Sequence, residues 1–296
     1  GWYRKSFVVP EKYKDKQLMV EFDGAYMNAE VYLNGKKLGD HPYGYTAFAF
    51  DLTDGLICDG KTENVLVVKT NNQIPSSRWY SGSGIYRDVT LTVTDDVHVG
   101  YNGTQIIAQD LEANKNGTVE VDITTTVEND SDTTKTVTVK NTLLDENGKV
   151  ASNTTTSQVE IAADSVQDIE QSVNVEKPEL WSVDDANMYK MKTEIVENDE
   201  VLDTYETDYG FRYYNFDKDT GFSLNGEKMK LKGVSMHHDQ GSLGAVANRD
   251  AIERQVKILK EMGCNAIRVT HNPAASALLD ICNEYGMLVI NEAFDG

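Results

Sequence analysis

Apolar and polar residues alternate along much of the chain before residue 209, and a spacing of three and four appears only after it. Leu18, Val20 and Phe22 alternate, as do Val31 and Leu33, and side chains two apart share one face of a strand. Asn34-Gly35 separates Val31-Tyr-Leu33 from Lys37-Leu38. Both residues tolerate a positive φ, so this dipeptide predicts a hairpin. Val65-Leu-Val-Val68 and Val89-Thr-Leu-Thr-Val93 supply further strands, with no helical period of useful length between them. Residues 1–95 are expected to form a β-sandwich.

Thr94-Asp95-Asp96 marks a boundary, after which residues 96–208 shift toward Thr, Val, Asn and Asp. Val119-Glu-Val-Asp-Ile-Thr-Thr-Thr-Val127 alternates cleanly, and Asp145-Glu-Asn-Gly148 reads as a turn. Regularly spaced strands separated by turns predict an immunoglobulin-like β-sandwich. Gly210-Phe211-Arg212 and a hairpin around Asn225-Gly226 open a third region, residues 209–296.

Three apolar segments dominate that region, and each runs into polar residues. Met229–Met236 leads into His237-His238-Asp239, Asn265–Thr270 into His271-Asn272-Pro273, and Met287–Ile290 into Asn291-Glu292-Ala-Phe-Asp295. Between the first two, Ile252, Val256 and Leu259 form a core-facing helical stripe that stops at Gly263. Between the last two, Asn272 is expected as N-cap, with Pro273 at the first helical position and Gly286 as the stop. Leu278, Cys282 and Tyr285 line one face of this second helix. Strand, helix, strand, helix, strand implies parallel βαβ units, the opening of a (β/α)8 TIM barrel. Active sites of such barrels lie at the C-terminal ends of the strands. Only three strands are present, so the reaction centre is expected to be unfinished within these residues. Residues 209–296 are likewise expected to be less stable than residues 1–208, because an unclosed parallel sheet leaves an edge unpaired.

Composition narrows the function. A chain of 296 residues has room for two or three domains. The net charge of −20 argues against a nucleic-acid partner, which requires clustered Lys and Arg. A neutral carbohydrate is compatible with it. The three cysteines Cys58, Cys264 and Cys282 are odd in number and form no CxxC pair, so no disulfide framework is expected. No stretch approaches the roughly 18 apolar residues of a membrane span. The chain starts at Gly1 without an initiator Met or a signal peptide and is expected to be a piece of a longer protein.

Adjacent His237 and His238 invite a metal, but successive residues of a strand point to opposite faces and two ligands would sit better as His-x-His. No metal or cofactor is expected. His271 ends the next strand, and strand-end polar residues converge on one mouth of a barrel, which favours a ligand-contacting role for these histidines. Arg268 lies in an apolar strand and must be paired if buried; Glu292 is the expected partner. Arg78, beside Trp79 and Tyr80 in the loop Pro75–Gly84, suits sugar recognition, with rings stacking on a sugar face and the guanidinium donating to hydroxyls. An indole anchored between domains explains the same loop equally well.

The whole pattern resembles glycoside hydrolase family 2, which contains β-galactosidases and β-glucuronidases. The resemblance is carried by Gly1-Trp-Tyr-Arg-Lys5, Arg78-Trp-Tyr-Ser-Gly-Ser-Gly-Ile-Tyr-Arg87 and Leu180-Trp181-Ser182. In the third region it rests on Gly233-Val-x-x-His237-His-Asp239, Ile267-Arg-x-x-His271-Asn-Pro273 and Glu292-Ala-Phe-Asp295. The family implies a jelly-roll sugar-binding domain, an immunoglobulin-like domain and a TIM barrel, and retaining hydrolysis by two glutamates. Likeness is greatest to β-galactosidases, which implies release of terminal β-D-galactose; β-glucuronidase is the alternative, and a noncatalytic carbohydrate-binding role is a third for the isolated chain. The family pattern implies His237 and His271 as lining of the sugar pocket, with Arg78 reaching toward it; Asn272, His238 and Asp239 are added as substrate-contacting candidates. Asn291 stands where the family pattern has Asp. The acid/base glutamate is expected after strand four and the nucleophile after strand seven, beyond residue 296, so no catalytic residue is assigned and residues 1–296 alone are expected to be inactive. Met236-His-His-Asp-Gln-Gly241 resembles large cell-surface enzymes, which favours an extracellular setting, although a cytoplasmic one and a homo-oligomer are both compatible.

Overall fold

The computed structural model describes residues 1–73 and 77–294, so Pro75 and Asp295 of the motifs above lie outside the described residues. The chain divides into two compact units: residues 1–93 with residues 232–296, and residues 94–231. None of the described helices is long and apolar enough to cross a membrane.

The first unit begins as an antiparallel sandwich. One sheet orders Trp2–Val8, Glu63–Lys69, Ala29–Leu33 and Lys36–His41; the other orders Phe48–Asp51, Gln17–Phe22 and Val89–Thr94. The alternation becomes burial: Leu18, Val20, Phe22, Val31 and Leu33 are all at most 2% exposed. Phe22 stacks on Phe48 with ring centroids 4.9 Å apart. Burying one such side chain contributes about 1.5–3 kcal/mol. The hairpin forms at Asn34 and Gly35, with φ of 49° and 85°. A Cβ on Gly35 would meet nothing, so its backbone conformation, not space, selects glycine there. The Asn34 side chain then donates to Gly55 O and accepts from Val65 N, both at 2.8 Å, which pins the turn to the neighbouring strand.

The rest of the first unit is the βαβαβ segment. Gly233–Met236, Ala266–Val269 and Leu288–Asn291 pair in parallel, with Val234 opposite Ile267 and Ile267 opposite Val289. Gly233 is needed for close backbone approach, since a Cβ would lie 2.1 Å from Ala266 O. Helix Arg249–Glu261 buries Ile252, Val256 and Leu259, is capped by Asn248 Oδ1 accepting from Ala251 N at 3.0 Å, and is followed by Gly263 at φ 84°.

The second helix departs from expectation. It runs Ser276–Glu284, and Asn272 does not cap it. Asn272 is buried at 4% exposure. The helix start is served by Asp23 of the sandwich, which accepts from Ser276 N at 3.3 Å and Ser276 Oγ at 2.6 Å. A carboxylate near a helix N-terminus is stabilising whichever part of the chain supplies it. Arg268 and Ile290 are exposed.

The second unit is the immunoglobulin-like sandwich. Val97–Ala108, Thr118–Asn129 and Ser165–Glu176 form one sheet. Val150–Thr155, Lys135–Leu144, Tyr189–Glu197 and Glu200–Tyr209 form the other, with Val159–Ile161 also on Lys135–Leu144. Val119, Val121, Ile123 and Val127 are buried in alternation. Phe211 is fully buried in the same core, packed edge-on to Tyr189 and Tyr209. The Asn225-Gly226 hairpin forms with φ of 53° and 86°, and Asn225 Nδ2 donates to Trp181 O at 2.9 Å. The three cysteines are free thiols, and burial pushes Cys282 up to about 12.

Candidate active site at the barrel strand ends

His237 follows the first parallel strand and His271 the second, while Trp79 comes from the sandwich loop. The three rings form one cluster. Trp79 stacks on His237 at 5.4 Å between centroids and 13° between planes. It meets His271 at 5.2 Å, and the two imidazoles lie edge to face at 5.6 Å. Trp79 Nε1 donates to Tyr45 Oη at 3.1 Å, which fixes the indole plane. The indole therefore anchors the sandwich to the strand ends and borders the site at once.

Each imidazole is held by Nδ1. His237 Nδ1 donates to Thr270 O at 3.0 Å. His271 Nδ1 lies 3.0 Å from Glu292 Oε2 and donates to that carboxylate. With Nδ1 as the donor, an imidazole in its neutral form offers Nε2 as an acceptor, and neither Nε2 is a buried atom without a partner. Glu292 also takes the Arg268 guanidinium, as the pairing of strand-end charges predicted. Partial burial raises the Glu292 carboxyl, but the hydrogen bonds from Arg268 and His271 outweigh it and hold the carboxyl below its ordinary value. The arrangement presents two imidazole acceptors beside an aromatic face, which suits a ligand rich in hydroxyl groups.

The remaining candidates are distributed differently. His238 turns away from the cluster to pack on Tyr45, ring centroids 4.7 Å apart. Burial, with Arg87 and His237 as like-charged neighbours, pushes its imidazole down to about 3. Asp239 and Arg78 are exposed. The Asn272 amide oxygen accepts from the Tyr43 hydroxyl, so Asn272 connects the second strand end to the sandwich. One residue further, Pro273 O accepts from buried Arg87 Nη2 at 2.7 Å. Asn291 Oδ1 accepts from Ala274 N at 3.0 Å, a bond that a carboxylate there would make equally well.

Sequence reading did not find Tyr43, Tyr45, Thr270 or Asp23 as supports of this site, nor the second bond of Glu292. Arg87 carried a signal only as part of the motif that closes the first sandwich, whereas Trp79 was readable beside Arg78 as a sugar-stacking ring or an anchor between domains. Among the described residues, the histidine-containing group close enough to share a cation is His98, Glu128 and Asp130 in the second unit, donor atoms within 4.8 Å.

Known proteins place this architecture. Three domain models of glycosyl hydrolases family 2 match in order: the sugar binding domain over residues 1–95, the central domain over 104–212 and the TIM barrel domain over 217–294. The chain belongs to that family. It is 45% identical to a β-galactosidase of Bacteroides ovatus over all of this chain and 34% of that protein. It is 30% identical to a β-glucuronidase of Formosa agariphila, over all of this chain and 32% of that one. A crystal structure of a family 2 member from Bacteroides cellulosilyticus superposes with a TM-score of 0.93 at 37% identity, covering 99% of this chain and 39% of that one. The chain thus spans about a third of the length of the curated relatives it matches.

Proposed function

We propose that this chain is the sugar-binding, immunoglobulin-like and leading barrel portion of a retaining glycoside hydrolase that releases terminal β-D-galactose. The observation that carries this reading is the Trp79–His237–His271 cluster, with both Nδ1 atoms committed and both Nε2 atoms left to accept sugar hydroxyls. Retention requires a nucleophilic carboxylate and a proton-donating carboxyl roughly 5–5.5 Å apart. Glu292 is the carboxylate at this cluster, and its two hydrogen bonds give it an orienting role, not either of those. On this reading residues 1–296 alone do not turn over an aryl β-galactoside. Hydrolysis by the purified chain, free of host enzyme, would refute that.

β-Glucuronides are the competing substrates, in view of the Formosa agariphila relative. A C6 carboxylate calls for a cation beside the sugar. Arg268 is committed to Glu292 and Arg87 to backbone carbonyls, so neither is placed to receive such a carboxylate, and the 45% identity to the Bacteroides ovatus β-galactosidase favours galactose. In the full-length protein kcat/KM should be higher for an aryl β-galactoside than for the matching β-glucuronide; the reverse order would overturn the galactoside assignment. His237→Ala and His271→Ala should each lower kcat/KM by about 10²-fold, as losing a bond that tightens in the transition state does. Unchanged kinetics with a lower melting temperature would give both histidines a purely structural role.

A further inference from the structure

Beside the imidazole cluster, with His237 in its wall, lies a small cavity of about 30 Å³. Its walls come from both parts of the first unit: Tyr86 and Arg87 of the sandwich, His238 at the first strand end, and Gln255 with Ile252 on the first barrel helix. Three of these residues carry a buried side-chain atom without a hydrogen-bond partner: Arg87 Nε, His238 Nε2 and Gln255 Oε1. Arg87 is itself only 5% exposed, and its other nitrogens are spent on Asp23 O, Tyr45 O and Pro273 O. Unpaired buried polar atoms each cost roughly 1–3 kcal/mol, so three of them on residues that line one cavity call for a common partner.

We propose that the cavity is a site for a resident water molecule that bridges Arg87, His238 and Gln255. The donors and acceptors balance. Arg87 Nε–H can only donate and Gln255 Oε1 can only accept. A neutral His238 with its proton on Nδ1 accepts at Nε2. One water accepts from Arg87 and donates its two hydrogens to Gln255 and His238, which satisfies all three. A cation is disfavoured by the guanidinium, and a halide has no hydrogen to give the two acceptors. A water needs roughly 10–15 Å³ of such space and two to four polar partners; the cavity has the volume, and its lining residues carry three polar atoms in want of a partner.

The bridge also has a consequence that rests on the glycosidase reading. It fastens His238, and through it the adjoining His237, to a guanidinium anchored in the sandwich. Arg87 and Gln255 thereby act as positioning residues for an imidazole that contacts substrate.

The test has two independent arms. A high-resolution crystal structure of residues 1–296 should show ordered solvent within hydrogen-bonding distance of all three atoms. A dry cavity, or side chains that pair directly with one another, would overturn the site. In the full-length enzyme, Gln255→Leu should lower kcat/KM by about tenfold, with Gln255→Glu restoring it because a carboxylate oxygen also accepts. Ordered solvent with unaltered Gln255→Leu kinetics would overturn the positioning role and leave the water site standing. A full-length protein without glycosidase activity would refute the functional reading while the crystallographic arm still decides the site.

Discussion

At the scale of single residues, the two adjacent histidines divide their work according to the direction each side chain takes. His237 stacks against Trp79, whereas His238 is packed on Tyr45 beside the Arg87 guanidinium. Burial pushes His238 down to about 3 from an ordinary 6.5. Between those values the unfolded chain binds a proton that the folded chain excludes, so stability is full above about pH 6.5 and falls as the pH drops toward 3. The loss is at most about 1.4 kcal/mol for each pH unit of separation. Melting temperatures of the wild type and His238→Gln should therefore diverge on the acid side, the wild type falling more steeply. Parallel acid limbs would show that His238 is protonated in the fold. Glu292 adds loss only below about its ordinary 4.5, because its carboxyl is lowered, and it does so in both proteins.

At the scale of elements, the two barrel helices are started by different devices. Asn248 caps the first from the residue before it, while Asp23 reaches the second from the sandwich. Replacing either by Ala should cost about 1 kcal/mol, read as a lowered midpoint in the first unit's unfolding. An Asp23→Ala protein with an unchanged midpoint would deny the distant carboxylate any capping role. The contrast explains what was legible in advance. Asn34-Gly35, Asn225-Gly226, the Ile252–Val256–Leu259 stripe and the stops at Gly263 and Gly286 are dictated by neighbours in the chain, and all were readable. Asn272 had the sequence of a cap, but tertiary contact with Tyr43 buries it, and no local pattern announces Asp23. For the site, strand-end position was enough to select His237 and His271. Their ring partner Trp79 and the Nδ1 acceptors Thr270 and Glu292 are set by inter-element geometry that periodicity does not encode.

At the scale of the whole molecule, the chain leaves its first unit at Val93 and re-enters it at Lys232. Both core clusters of the second unit draw only on residues of that unit. Residues 94–231 expressed alone should therefore unfold cooperatively as an all-β domain; a broad, featureless melt would contradict this. The barrel segment differs, since Ala245 is buried among Tyr26, Tyr45 and Tyr86 of the sandwich. Residues 232–296 thus take part of their packing from residues 1–93, which offsets the instability expected of an unclosed sheet. In limited proteolysis of the intact chain they should resist as well as the first sandwich does. The same topology has a cost in time. Tyr43 meets Asn272 across 229 positions, Arg87 meets Pro273 across 186, and Asp23 meets Ser276 across 253. Contacts so distant along the chain form slowly, and during synthesis the sandwich emerges long before its partners exist. Completion of the first unit, though not of its sandwich core, must wait for translation of the second. A mutation that delays the inserted domain would then hold back the meeting of residues that all lie in the other unit.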